Sequence, residues 1–161
     1  MSVDDIVALA GRLAKGERLL GLDVGSKTIG LALSDRGLTV ASPLETLRRA
    51  KLADDVAALS DLCEARAVGG LLVGLPVNMD GSEGPRCQSV RQFTANLADR
   101  GLDLPVAFWD ERLSTAAVER LLIAEADMTR KRRAQVVDKM AAAYILQGAL
   151  DALAARRRSD T

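Results

Sequence analysis

The 161-residue chain contains no histidine. That absence excludes Ser-His-Asp and Cys-His catalysis, paired-imidazole acid–base chemistry and His-ligated zinc. Cysteine is nearly absent too: Cys63 and Cys87 lie far apart and form no C-x-x-C. Neither a zinc ribbon nor a thioredoxin-like centre is available, and both residues are expected to be free thiols in a reducing compartment. No apolar run approaches the ~20 residues of a membrane span. The segment from Ser2 to Lys15 carries Asp4, Asp5 and Arg12 and lacks an uninterrupted apolar stretch, so it does not read as a secretory signal. A cytoplasmic location is expected. There is no surplus of either charge, with 22 basic and 22 acidic residues, so any contact with a polyanion must come from local clusters. What survives is chemistry by carboxylates, lysines, hydroxyls or a hard metal ion, with carboxylates on magnesium the simplest case.

With 48% hydrophobic and 27% charged residues, the chain fits one compact domain whose core needs no disulfide. Its most informative stretch is Leu19 to Asp35, where Asp23 ends an apolar strand-like run. A carboxylate among packed apolar groups is costly unless paired, hydrogen-bonded or bound to a metal. Gly25 and Gly30 flank the following turn and allow positive φ or close approach of a ligand or a second backbone. Taken alone, the segment fits either a hairpin whose Asp bonds its own turn or a metal or phosphate site.

Apolar spacing predicts a short helix over 4–15, strands over 18–24, 28–35 and 38–47, a helix over 50–66 and a buried strand over 71–75. A turn-rich loop over 76–85, a helix over 86–100 and a strand over 105–110 follow. Ser114-Thr115 caps a further helix, residues 127–133 interrupt it, and a last helix runs from 134 to 155. This order predicts an α/β fold, a mixed five-stranded sheet with helices on its faces. Right-handed crossovers gather strand ends along one edge, where ligands bind in open α/β sheets.

Further acids fall at that edge. Asp110 and Glu111 close the strand at 105–110 and point to opposite sides, so one of them faces the site; a Glu111–Arg112 salt bridge or a capping role is the plainer alternative. Asp138 shares a helical face with Ala141, Ala142 and Ile145, an apolar stripe that should face the sheet. Hard carboxylate oxygens at Asp23, Glu111 and Asp138 suit Mg²⁺ or Mn²⁺. A pair of such ions about 4 Å apart activates a water and stabilises the leaving oxygen of a phosphodiester.

Four motifs in order, Leu22 to Gly30, Val73 to Gly84, Asp110 to Thr115 and Asp138 to Ala142, resemble those of the YqgF (RuvX) family in the RNase H-like superfamily. The resemblance covers Leu19 to Leu150. It implies an RNase H-like fold with Asp23, Glu111 and Asp138 as catalytic, metal-binding acids of a two-metal-ion nuclease. It also implies action in 5′-end maturation of pre-16S rRNA during ribosome biogenesis, with Holliday junction resolution in DNA recombination and repair as the alternative. One departure from the superfamily stands out: Leu75-Pro76 ends the strand where many relatives carry a second acid. The expected division is an N-terminal helical extension (1–17), an RNase H-like nuclease domain (18–155) and a basic flexible tail (156–161).

Arg130, Lys131, Arg132 and Arg133 precede the Asp138 helix and are candidates to neutralise phosphates beside the metals, with a solvated loop as the alternative. Lys27 in the first turn, and Asn78 and Ser82 in the loop at 76–85, are further candidates for phosphate contact, whereas Met79 is read as shaping the turn. Trp109, Tyr144, Phe93 and Phe108 are the only rings, which argues against recognition by base stacking. Structured RNA is therefore favoured as the partner, with branched DNA second and no membrane, and a monomer is favoured over a dimer. Two other readings exist. Asp23-Val24-Gly25 with Ser26-Lys27-Thr28 also resembles the phosphate loop of actin-like ATPases, but the motif has no second copy. A noncatalytic nucleic-acid-binding assembly factor would bind without divalent metal and tolerate loss of Asp23.

Overall fold

Near-continuous apolar runs such as Leu19–Val24 and Val68–Leu75 belong in the middle of a sheet covered on both faces. The structure, a computed structural model, describes residues 3–113 and 130–160. It places both runs there. Strands β1 (Arg18–Val24), β2 (Thr28–Ser34), β3 (Ala41–Arg48), β4 (Val68–Leu75) and β5 (Val106–Asp110) form one sheet in the order β3-β2-β1-β4-β5. The first three make an antiparallel meander, while β4 and β5 run parallel to β1. All eight residues of β3, at one edge, are partly or wholly exposed, and its half-buried Leu44 and Leu47 pack against the core.

Strand alternation divides the core in two. Leu20, Leu22 and Val24 of β1, Ile29, Leu31 and Leu33 of β2, and Leu71, Val73 and Leu75 of β4 face helices α2 (Leu52–Ala65) and α3 (Pro85–Asp99). The alternate residues Leu19, Ala32 and Leu72 face α1 (Val3–Gly11) and α4 (Arg130–Ser159). The expected mixed α/β sheet with helices on both faces is thus the observed architecture. Burial of Ile6 and Leu9 docks α1 against α4 and β5.

Several boundaries differ from expectation. α1 stops at Gly11 rather than residue 15. β3 starts at Ala41 because Leu38 sits in a left-handed turn with φ 56°. β4 begins at Val68, so Gly69 and Gly70 lie inside it rather than before it. They are small for packing reasons: a side chain at Gly69 would overlap the Glu17 carboxylate, and one at Gly70 would meet Leu9 and Leu19. α4 already includes Arg130 to Arg133, part of the stretch 127–133 expected to interrupt the helical run, and it continues through Arg156, Arg157 and Arg158 in place of a flexible tail. Arg and Lys are good helix formers and no Gly or Pro stands between 127 and 133. Cations in a last helical turn also complement the helix dipole. The helix expected after Ser114-Thr115 lies outside the described residues.

Candidate active site

The site is built on the face of the sheet that α4 covers. Asp23 pairs across the antiparallel ladder with Gly30. On its other side, Leu22 pairs with Val73, which puts Gly74 next to Asp23 one residue on. The carboxylate of Asp23 therefore stands between two glycines, and it is buried to 9% exposure. Each glycine admits something a side chain would displace. A Cβ on Gly30 would overlap the backbone carbonyl of Asp138, so α4 lies directly on β2 at this point. A Cβ on Gly74 would lie 2.8 Å from Ile145 Cδ1 and 3.2 Å from Glu111 Oε1. Glu111 thus folds over β4 beside Asp23, and Asp138 stands on the opposite side above β2.

Thr28 donates its hydroxyl hydrogen to Asp138 Oδ2 at 2.5 Å. This orients the helix-borne carboxylate from the first residue of β2. Thr28 had no assigned role in the sequence, although it shares the strand face of Gly30 by simple alternation, which was signal enough to find it. Asp23, Glu111 and Asp138 are brought to one face at one end of the sheet. As they stand, no three acidic, cysteine or histidine side chains among the described residues are spaced to enclose a metal ion.

Asp110 and Glu111 do face opposite ways. Asp110 pairs with Leu75 on the α2–α3 face, where Arg112 grips it: Nε lies 3.0 Å and Nη2 2.6 Å from Oδ2, and the Arg112 amide donates to Oδ1 at 2.9 Å. These bonds hold the Asp110 carboxyl below the usual carboxylate range, chiefly through the guanidinium. The remaining Nη1 of Arg112 donates to the Met79 carbonyl at 3.3 Å, fastening the loop after β4 to the end of β5. Within that loop the polar groups bond one another. Asn78 Nδ2 donates to Ser82 Oγ, the Ser82 hydroxyl and amide donate to Asp80 Oδ1, and the Asn78 amide donates to the Ser82 carbonyl. The Ser82 hydroxyl keeps the Asp80 carboxyl low.

Lys27 is exposed in the turn between β1 and β2. Arg49 braces that turn from behind, donating from Nη1 to the Gly25 carbonyl at 2.7 Å while its guanidinium lies 4.6 Å from the centre of the Phe93 ring. Neither contact was visible in the sequence. Arg130, Lys131, Arg132 and Arg133 occupy the first turns of α4, at the Asp138 end of that helix.

Comparison with known proteins agrees with this architecture. A relative from Paramagnetospirillum magneticum named "Putative pre-16S rRNA nuclease" is 64% identical over 143 residues, covering 89% of this chain and 91% of the relative. One of the same name from Phenylobacterium zucineum is 58% identical over 153 residues, covering 95% and 98%. The solved structure of Thermus thermophilus RuvC in complex with a Holliday junction substrate superposes with a TM-score of 0.54 over 88% of this chain and 96% of that one; at 14% identity the likeness is one of fold. Residues 17–152 match the family described as "RuvX: Holliday junction resolvase", and the chain belongs to the RuvX family.

Proposed function

We propose that the chain is a metal-dependent nuclease that hydrolyses phosphodiester bonds in 5′-end maturation of pre-16S rRNA. The observation that carries this reading is the convergence of Asp23, Glu111 and Asp138 on one face, with Asp23 flanked by Gly30 and Gly74 on the neighbouring strands. The names of relatives at 58 to 64% identity support the substrate. The donor set fits Mg²⁺ or Mn²⁺ in kind, since it consists of hard carboxylate oxygens and includes no imidazole. Asp23, Glu111 and Asp138 would hold two such ions, which when bound supply activation of the attacking water and charge stabilisation at the leaving oxygen. Like charges on neighbouring carboxylates oppose each other, so a cation would draw together acids that stand apart without one.

The chain's own residues do the rest. Thr28 holds one oxygen of Asp138 in place, and the Asp110–Arg112 pair sets the course of the chain through Glu111. Lys27 and the run Arg130, Lys131, Arg132, Arg133 are assigned to phosphates flanking the scissile bond, and Asn78 to the loop that borders it. No helix of the described residues is long and apolar enough to cross a membrane, and the proposed action on rRNA goes with a cytoplasmic location.

Depletion in the host should raise 5′-extended small-subunit rRNA precursor, and Asp23→Asn should fail to restore processing. In vitro, Asp23→Asn and Asp138→Asn should each abolish most Mn²⁺- or Mg²⁺-dependent cleavage while the fold persists. Full activity in Asp23→Asn would end the two-metal reading. Normal precursor processing on depletion, with efficient symmetric cutting of four-way DNA junctions by a purified dimer, would move the assignment to junction resolution, which calls for a self-complementary interface.

A further inference from the structure

Met79 is 92% exposed, the most exposed large apolar side chain among the described residues. A mobile loop tip would make that unremarkable, but this tip is tied down. The bonds among Asn78, Asp80 and Ser82 close the loop on itself, and Gly81, at φ +90°, makes the reversal that lets its amide reach the Asn78 carbonyl at 2.9 Å. Arg112 then anchors the Met79 carbonyl. Arg112 is the residue after Glu111, so the anchor sets the loop tip in a constant relation to one of the three acids. The side chains of Asn78, Asp80 and Ser82 bond one another in holding the tip, while the apolar Met79 side chain is left outward.

Aromatic residues give this a meaning. Trp109 and Phe93 are buried at 3% exposure, and Phe108 and Tyr144 pack against the two cores. Phe108 and Tyr144 are half-buried, and the Arg91 guanidinium lies 4.7 Å from the centre of the Phe108 ring, so no ring stands out from the surface as Met79 does. Unbranched, polarisable methionine is one of the side chains that insert between base steps as apolar wedges. We propose that Met79 contacts a nucleobase beside the scissile phosphodiester, so that the loop selects a base step that unstacks readily. This assigns specificity to a residue first read as shaping the turn, and it rests on the nuclease reading above.

The test uses precursor-derived RNA carrying 2-aminopurine at successive positions around the 5′ cleavage point, first bound without divalent metal and then cleaved with Mn²⁺. Binding of the wild-type protein should brighten the probe at one position, and Met79→Ala should not. Cleavage by Met79→Ala should fall about tenfold in kcat/KM, within the range for loss of a base-stacking contact. Met79→Leu should restore most of it, and RNA abasic at the responsive position should be cut equally by wild type and Met79→Ala. Val40→Ser, another exposed apolar residue but at the opposite end of β2, should behave as wild type. Unchanged brightening and kcat/KM in Met79→Ala would overturn the proposal, as would an equal loss on abasic RNA. Probe brightening that depends on Met79, with no cleavage by the wild type, would keep the wedge and sink the nuclease reading; cleavage without such brightening would do the reverse.

Discussion

Asp110 and Glu111 are neighbours of like charge with unlike surroundings, and their substitutions should separate. Asp110 is 5% exposed and bound to Arg112, so Asp110→Asn should cost about 1–2 kcal/mol of stability, the guanidinium being partly in solvent. It should reduce cleavage less than Glu111→Gln does, and Glu111→Gln should leave stability near that of the wild type. Because the folded-state carboxyl of Asp110 titrates low, its contribution is complete above an unfolded value of about 3.9 and is lost as pH falls through the lowered one. Urea midpoints measured from pH 6 to pH 2 should therefore show a shallower acid limb in Asp110→Asn. The cysteines offer a second check. Burial pushes the Cys63 thiol up to about 11, and Cys87 is raised as well with no exposed surface. Neither should react with a thiol reagent at pH 8 until urea unfolds the chain; rapid labelling of the folded protein would contradict this burial.

Between elements, the contact of α4 with the sheet is controlled by glycines. Gly30→Ala pushes a methyl into the backbone of α4 at Asp138, and backbone cannot rotate away. A loss of about 3 kcal/mol is expected. Gly74→Ala meets only the ends of Ile145 and Glu111, which can shift, so about 1 kcal/mol is expected, with a larger effect on activity than on stability. Chemical denaturation of the two variants ranks them, and the reverse order would mean that α4 does not rest on β2 as described. The same contacts mark what could be read in the sequence. Apolar runs bounded by turn residues located all five strands, and helical spacing located α2, because these follow from local pattern. Asp23 and Asp138 stood out because each interrupts an apolar context, and Glu111 because it closes a strand at the same edge. Gly69, Gly70 and Gly74 did not, since their smallness answers to Glu17, Leu9, Leu19 and Ile145, partners remote in sequence that no local rule connects. Arg130 to Arg133 read as a loop because charge was weighed above helix propensity. In the loop after β4 the polar residues suggested contacts outward, whereas the fold turns Asn78, Asp80 and Ser82 on one another.

Over the whole molecule, acidic and basic residues balance at 22 each, so nucleic-acid affinity rests on where the cations fall. Lys27, in the turn after Asp23, and the basic start of α4 share the end of the sheet that holds the acids. Replacing Arg130, Lys131 and Arg132 together should weaken RNA binding with little sequence preference and flatten the slope of log affinity against log salt by about one unit per lost phosphate contact. An unchanged slope would show that the run is solvated and makes no such contact. The hydrogen bond between Thr28 and Asp138 spans 110 positions, and α4 follows every strand in chain order. Chains emerge N-terminus first, so every strand is made before the third acid and before α4, whose Ala142, Ile145 and Leu146 complete the second core. A product truncated before α4 would retain Asp23 and Glu111 but lack both the cover of one face of the sheet and the third acid of the proposed site, so it should neither hold its fold nor cut.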